Sequence, residues 1–240
     1  MALAGGVWWL NRPTEPVARP AAVAEAPGYR AVSVGGINYE YVTAAADPKK
    51  ISLIGNFDQP AASADLATAS GCAAGVNGGF YGQDGQPLGW WEANGQVYKN
   101  YTHNNLLNGY AGVNEAGSLV IGSGEPRGKW RWGLQSGPLL VQDGKALALV
   151  MAADKPARRS VLAKTRPGTG ELIMIFGDRS ALDGPVLAEL PMIIEAIGRQ
   201  EGWQITEAIN LDGGTAAAFY SPEVKIPEVV AVGSWICAGN

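Results

Sequence analysis

Residues 29–44, YRAVSVGGINYEYVTA, alternate apolar and polar positions around a Gly-Gly pair, with β-branched and aromatic residues on both sides. That period of two predicts a β-hairpin. Residues 49–57, KKISLIGNF, predict a further strand, and 61–71, AASADLATASG, a short helix with Gly71 as its stop. A short buried run, CAAGV, then leads into Asn77-Gly78-Gly79. Residues 89–100, 109–122 and 134–149 are alternating runs broken by Asn94-Gly95, Glu115-Ala116-Gly117 and Asp143-Gly144. Each predicts a hairpin. The last third changes character. GELIMIFG (170–177) is a continuous apolar strand, and 185–202 carries a helical pattern whose main helix starts at Pro191. ITEAINL (205–211) is another buried strand.

The order of these elements predicts an α+β fold: a mixed, strand-rich sheet with two helix crossovers and β-hairpins, in a single domain over residues 29–240. Strand, helix, strand and a Gly-Gly turn occur in that order twice, ending at Gly78-Gly79 and at Gly213-Gly214. Consecutive strands joined by a helix usually form a parallel βαβ unit. Ligands of open α/β sheets bind beyond the carboxyl ends of such strands. Residues 1–28 stand apart. Their first ten are apolar but well short of the roughly 20 residues that span a bilayer, and they lack a basic n-region. A Pro/Ala-rich linker follows. The segment reads either as the end of a membrane anchor before an extracytoplasmic domain or as a disordered arm.

Composition narrows the chemistry. With 33 Gly, 15 Pro and 17% charged residues in 240, the chain is turn-rich and strand-rich. A net charge of -4 argues against a nucleic-acid partner, which calls for a basic face. His103 is the only histidine, so a multi-histidine metal site is excluded and any Ser-His-Asp triad depends on one residue in a polar stretch. Cys72 and Cys237 have no zinc-ligand spacing. They are either a disulfide, in an oxidising compartment, or two buried thiols.

Several residues could carry chemistry. In INLDGGTAAAF, Asp212 stands at a strand tip, and Gly213 and Gly214 remove every side chain from the turn after it. This is either Asp-Gly turn chemistry or a site where backbone meets a ligand closely. NGGFYG offers the same choice: a plain Asn-Gly turn, or successive amides of Gly78 and Gly79 that cradle an anion. Arg158 and Arg159 are the one arginine pair; they are solvated surface cations or a fork for phosphate or carboxylate. Val161, Leu162 and Ala163 follow, which carries the segment into a strand. Ser136 in QSGP does not match a G-x-S-x-G elbow, so it reads as shaping backbone rather than as a nucleophile. Trp90, Trp91, Trp130 and Trp132 are sugar-stacking rings or, more often, core. His103 is an acid–base group or a solvated side chain. A divalent cation at Asp212, held by carbonyls and water, is a further reading. No other cofactor is expected.

Taken in order, NGGFYG, LQSGPLLV, RRSVLAKT and INLDGGTAA resemble the motif set of the phosphodiester glycosidase family, over roughly Tyr29 to the C-terminus. The resemblance implies hydrolysis of a sugar-1-phosphodiester to sugar and phosphomonoester, with a sugar-phosphate or glycan substrate. It marks Asp212 and Arg159 as catalytic and Asn77, Gly78, Gly79, Ser136, Gly137, Gly213, Gly214 and Thr215 as substrate-binding. The family's arginine motif usually closes with glycine where this chain has Ala163, and its aspartate motif often continues Gly-Ser or Ser-Ser where this chain has Thr215 and Ala216. Glu92 and Asp178 are candidates for a second carboxylate. The alternative is a non-catalytic glycan-binding or envelope-assembly protein on the same fold. An extracytoplasmic, bacterial-envelope location is expected.

Overall fold

The computed structural model describes residues 27–177 and 183–239. The expected N-terminal tail and most of its linker, and Asp178, lie outside the described residues. The chain opens with the predicted hairpin, β1 (Arg30–Val34) and β2 (Ile37–Ala46), followed by β3 (Ile51–Gly55), α1 (Ser63–Ala69) and β4 (Cys72–Asn77). A meander follows: β5 (Trp91–Ala93), β6 (Gln96–Lys99), β7 (Gly109–Asn114), β8 (Leu119–Ser123) and β9 (Trp130–Ser136). Next come β10 (Leu139–Gln142), β11 (Lys145–Ala146), β12 (Arg159–Thr165), β13 (Gly170–Phe176), α2 (Leu190–Glu201) and β14 (Ile205–Asn210). The chain closes with β15 (Phe219–Tyr220), β16 (Lys225–Ile226) and β17 (Ser234–Gly239). Both helices fall where the apolar pattern places them. Gly71 at φ +64 follows the first, and α2 begins with Pro191 in its first turn and ends at Gly202 in the left-handed region.

Three sheets form, in the orders β1-β2-β13-β12-β14-β10-β11, β16-β15-β4-β17-β3 and β6-β5-β9-β7-β8. All neighbouring strands are antiparallel. The two strand–helix–strand units are present, but each is split. β17 lies between β3 and β4, and β12 between β13 and β14. Because the inserted strand runs against both neighbours, the outer pair is still parallel, and the carboxyl ends of β4 and β14 carry the two Gly-Gly turns.

The layers follow from which faces are apolar. One face of the seven-stranded sheet packs Val42, Leu162, Leu172, Met174 and Ile209 against residues of the other two sheets, including Leu53, Val76, Val113 and Leu134. Its other face packs Tyr41, Val161, Ile173 and Ile175 against Leu190, Ile193, Ile194 and Ile197 of α2. β13 is therefore covered on both sides, and all seven of its residues are buried. That explains its unbroken apolar run, which alternation cannot produce. On the far side, Ala67 of α1 packs on Trp235, Ala218 and the Cys72–Cys237 disulfide, whose Cα atoms lie 5.4 Å apart.

Candidate active site

The four sequence motifs meet where β4, β9 and β14 end and β12 begins. Asn77, at 1% exposure, ties them together. Its Nδ2 donates to the Asp212 carbonyl at 2.8 Å and the Gly78 carbonyl at 3.3 Å. Its Oδ1 accepts from the Ser160 hydroxyl at 2.6 Å and the Ala218 amide at 3.1 Å. The Asp212 amide in turn donates to the Gly78 carbonyl at 3.0 Å. With every polar atom of its side chain used on protein, Asn77 is a clasp between the two Gly-Gly turns. The Gly78 amide is also spent, on the Ser234 carbonyl at 2.8 Å, so the expected pair of anion-facing amides loses one member. Glycine is required there for another reason: a Cβ on Gly78 would collide with the Ser234 hydroxyl.

Ser136 is fully buried and donates to the Asn210 carbonyl at 2.8 Å. The Asn210 side chain returns a bond to the Gly137 carbonyl at 2.8 Å, across the cis Gly137-Pro138 peptide. This motif shapes backbone, as its sequence suggests. Asn210 Oδ1, buried beside it, has no hydrogen-bond partner among the described residues. Asn210 is not marked in the sequence, because an asparagine at the end of an apolar strand carries no spacing signal.

Asp212 keeps one side towards solvent but is otherwise surrounded by protein. Burial pushes its carboxyl up to about 7, against the Gly213 amide, which donates to Oδ1 at 2.8 Å and favours the charged form. The Asp212 charge is felt by Tyr81, whose hydroxyl is raised chiefly by burial and donates to the Ala231 carbonyl at 2.6 Å.

Arg159, at the start of β12, is held rather than loose. Nε donates to the Pro185 carbonyl at 3.0 Å, and Nη2 to the Lys155 carbonyl at 2.6 Å and Asp154 Oδ1 at 3.4 Å. Burial lowers its pKa, with the Asp154 charge opposing. Asp154 carries no signal in the sequence. It also accepts the amides of Leu187 and Ala188 at 2.8 Å each, pinning Arg159 to the entry of α2. Arg159 Nη1 has no partner among the described residues. It lies 3.8 Å from the point a Cβ on Gly213 would occupy, so it faces the bare turn after Asp212. The Gly214 amide bonds the Arg158 carbonyl at 2.9 Å, which fixes that approach. Arg158 itself is buried and donates to the Ala217 and Pro227 carbonyls, a structural role. The Thr215 carbonyl accepts the amides of Val229 and Val230, seating that loop beside the turn.

Burial and position decide between the readings left open for the remaining candidates. Trp90, Trp91, Trp130 and Trp132 are 2–7% exposed and form core, not a sugar platform. His103 is exposed and edge-stacked on Tyr101, with no contact to Asp212. Glu92 sits in β5 opposite Gly133, in the meander sheet, and makes no contact with Asp212. Among the described residues no group of three His, Cys, Asp or Glu is assembled to hold a metal ion. Of the departures from the family pattern, the one at Ala163 lies away from the candidate site, whereas those at Thr215 and Ala216 lie in the turn that follows Asp212. Ala163 is fully buried on the α2 face of the sheet, and Ala216 is 5% exposed in the turn of 3₁₀ helix after Gly213.

The fold recurs in solved structures. A Synechocystis protein matches with a TM-score of 0.65 at 16% identity, covering 87% of this chain. This chain spans only 61% of that protein's length. The catalytic domain of zebrafish N-acetylglucosamine-1-phosphodiester alpha-N-acetylglucosaminidase, auto-inhibited by its pro-peptide, matches at 0.68 and 15% identity, covering 91% of this chain and 85% of that one. A Burkholderia pseudomallei protein described as exported matches at 0.53 and 13% identity, covering 85% and 74%. At such identities these likenesses concern the fold. No curated protein sequence matches. The sequence model of the phosphodiester glycosidases matches residues 70–234, which hold all four motifs. The chain therefore belongs to the phosphodiester glycosidase family.

Proposed function

We propose that the protein hydrolyses the glycosidic bond of a sugar-1-phosphodiester, releasing the sugar and a phosphomonoester. One observation carries this reading: a carboxyl held near 7 at the tip of β14, beside a bare turn faced by the one unengaged nitrogen of Arg159. Water attacks the anomeric carbon, the bond from that carbon to the phosphate oxygen breaks, and the phosphomonoester leaves with the electron pair. Asp212 removes the proton from water. A carboxyl near 7 suits a general base at neutral pH better than a nucleophile, which gains from a low pKa. Arg159 Nη1, already oriented by Asp154 and two carbonyls, meets the phosphate as charge develops on the leaving oxygen. Phosphate is a good leaving group, so the mechanism does not depend on a second carboxyl as strong acid. Asn77, Ser136 and the glycines hold these two groups in register. The disulfide supports an extracytoplasmic site of action.

The test is turnover of the methyl phosphodiester of N-acetylglucosamine-1-phosphate, following free sugar and methyl phosphate. The wild-type rate is expected to rise with pH through about 7, as Asp212 loses its proton. Asp212→Asn is expected to lower kcat by about 10²–10⁴-fold with the fold intact. Arg159→Ala should lower it by a comparable factor. Saturable sugar binding without turnover, in wild type and variants alike, would favour the non-catalytic glycan-binding alternative.

A further inference from the structure

At the opposite end of β14 from Asp212, about 20 Å away by strand rise, lies a second concave feature. It is a groove of about 460 Å³ between the end of α2, the start of β14 and the β10–β11 turn. That volume falls within the ~300–1,000 Å³ of small-ligand pockets. We propose that this groove is a glycan subsite, taking a neutral pyranose unit against Trp203.

The walls make the case. Trp203 is half-buried: part of the ring packs on the α2 core, and the remainder lines the groove. Its backbone is fixed, because its amide donates to the Gly198 carbonyl at 2.8 Å just after Gly202 turns the helix off. An indole with a rigid anchor and a wet face suits the apolar face of a sugar ring. Around it stand groups that bond hydroxyls. The Arg166 guanidinium has no partner among the described residues, although its amide is held to the Gln204 carbonyl at 2.9 Å. The exposed side chains of Gln204 and Asp143 are likewise uncommitted.

Charge decides the ligand class. The lining carboxylates of Asp143, Glu195 and Glu207 are balanced by Arg166, by Arg199, 3.0 Å from Glu195, and by Lys164, 3.3 Å from Glu207. A locally neutral groove has no net attraction for an anion. It has alternating donors and acceptors, which match the hydroxyls of an uncharged sugar. Gly198 on the floor lets Ile205 pack directly on α2, since a Cβ there would press on the Ile205 side chain at 2.9 Å.

Binding of cellotetraose, maltotetraose and chitotetraose to the full chain, by titration calorimetry and saturation-transfer NMR, tests this. At least one is expected to bind with millimolar affinity. That affinity should fall at least about tenfold, some 1.4 kcal/mol, in both Arg166→Ala and Trp203→Ala and persist in Asp212→Asn. If Trp203→Ala fails to fold, Arg166→Ala and Gln204→Ala decide the matter. Two results overturn the proposal: no binding by any of the three sugars, or binding that survives the groove variants and disappears in Asp212→Asn.

Discussion

Asn77 shows how much one side chain does to join distant parts of the chain. Four hydrogen bonds leave it, to groups 1, 83, 135 and 141 residues away in the chain. Asn77→Ala would leave the Ser160 hydroxyl and the Ala218 amide unpartnered inside the protein. A cost of about 2–4 kcal/mol is expected, since each buried orphan costs roughly 1–3 kcal/mol. The checks are a urea midpoint and the assay above, and activity should fall further than Asn77→Ser would make it fall. The reading of NGGFYG as an important turn was legible from its glycines. The purpose of each residue was not, because the partners of Asn77 and Gly78 are brought to them only by long-range strand pairing. Asp154 was invisible for a similar reason: it lies in a loop with no period and becomes meaningful only once Arg159 and the entry of α2 stand beside it.

At the level of elements, β13 and α2 meet around an awkward carboxyl. Glu171 shares the face of Ile173 and Ile175 and is 5% exposed, towards the end of the helix where Glu201 bonds Tyr41 and pairs with Arg30. Burial raises Glu171 to about 7; the Glu201 charge adds to this, and Arg30 opposes it. The ordinary value is 4.5, so between these limits the folded protein holds a proton that the unfolded chain releases. The contribution of this carboxyl to stability is full below about pH 4.5 and is lost as pH rises through about 7. Glu171→Gln is therefore expected to stabilise the protein at pH 8 by about 1–2 kcal/mol, after allowing for solvent screening, and to change little at pH 4.5. Thermal melts at the two pH values decide it. The elements themselves were legible where local chemistry is strong. Asn94-Gly95 and Asp143-Gly144 mark hairpins, and Pro191 and Gly202 bracket α2. What escaped was the insertion of β12 and β17 into the two strand–helix–strand units, because nothing local in either strand names its neighbours.

For the whole molecule, the Cys72–Cys237 bridge closes a separation of 165 residues and lies under α1. Its removal as Cys72→Ala/Cys237→Ala is expected to cost about 2–5 kcal/mol, read as a lower denaturant midpoint. Dithiothreitol should move wild type in the same direction and leave the double variant unchanged. The Asp212 carboxyl lies at the other end of β4, so the pH profile of turnover should keep its limb near 7 in the double variant.

The place of β17 has a consequence in time. It is the central partner of β3 and β4, strands that end far earlier in the chain at Gly55 and Asn77, and its first residue supplies the carbonyl that holds the Gly78 amide. A growing chain that has emerged only as far as residue 230 already contains both Gly-Gly turns, yet β3 and β4 have no strand to join them. Such a late, distant pairing is slow to form. The nascent chain therefore passes through the synthesis of everything from β4 to β16 with the two turns unjoined, and they come together only once Ser234–Gly239 has emerged.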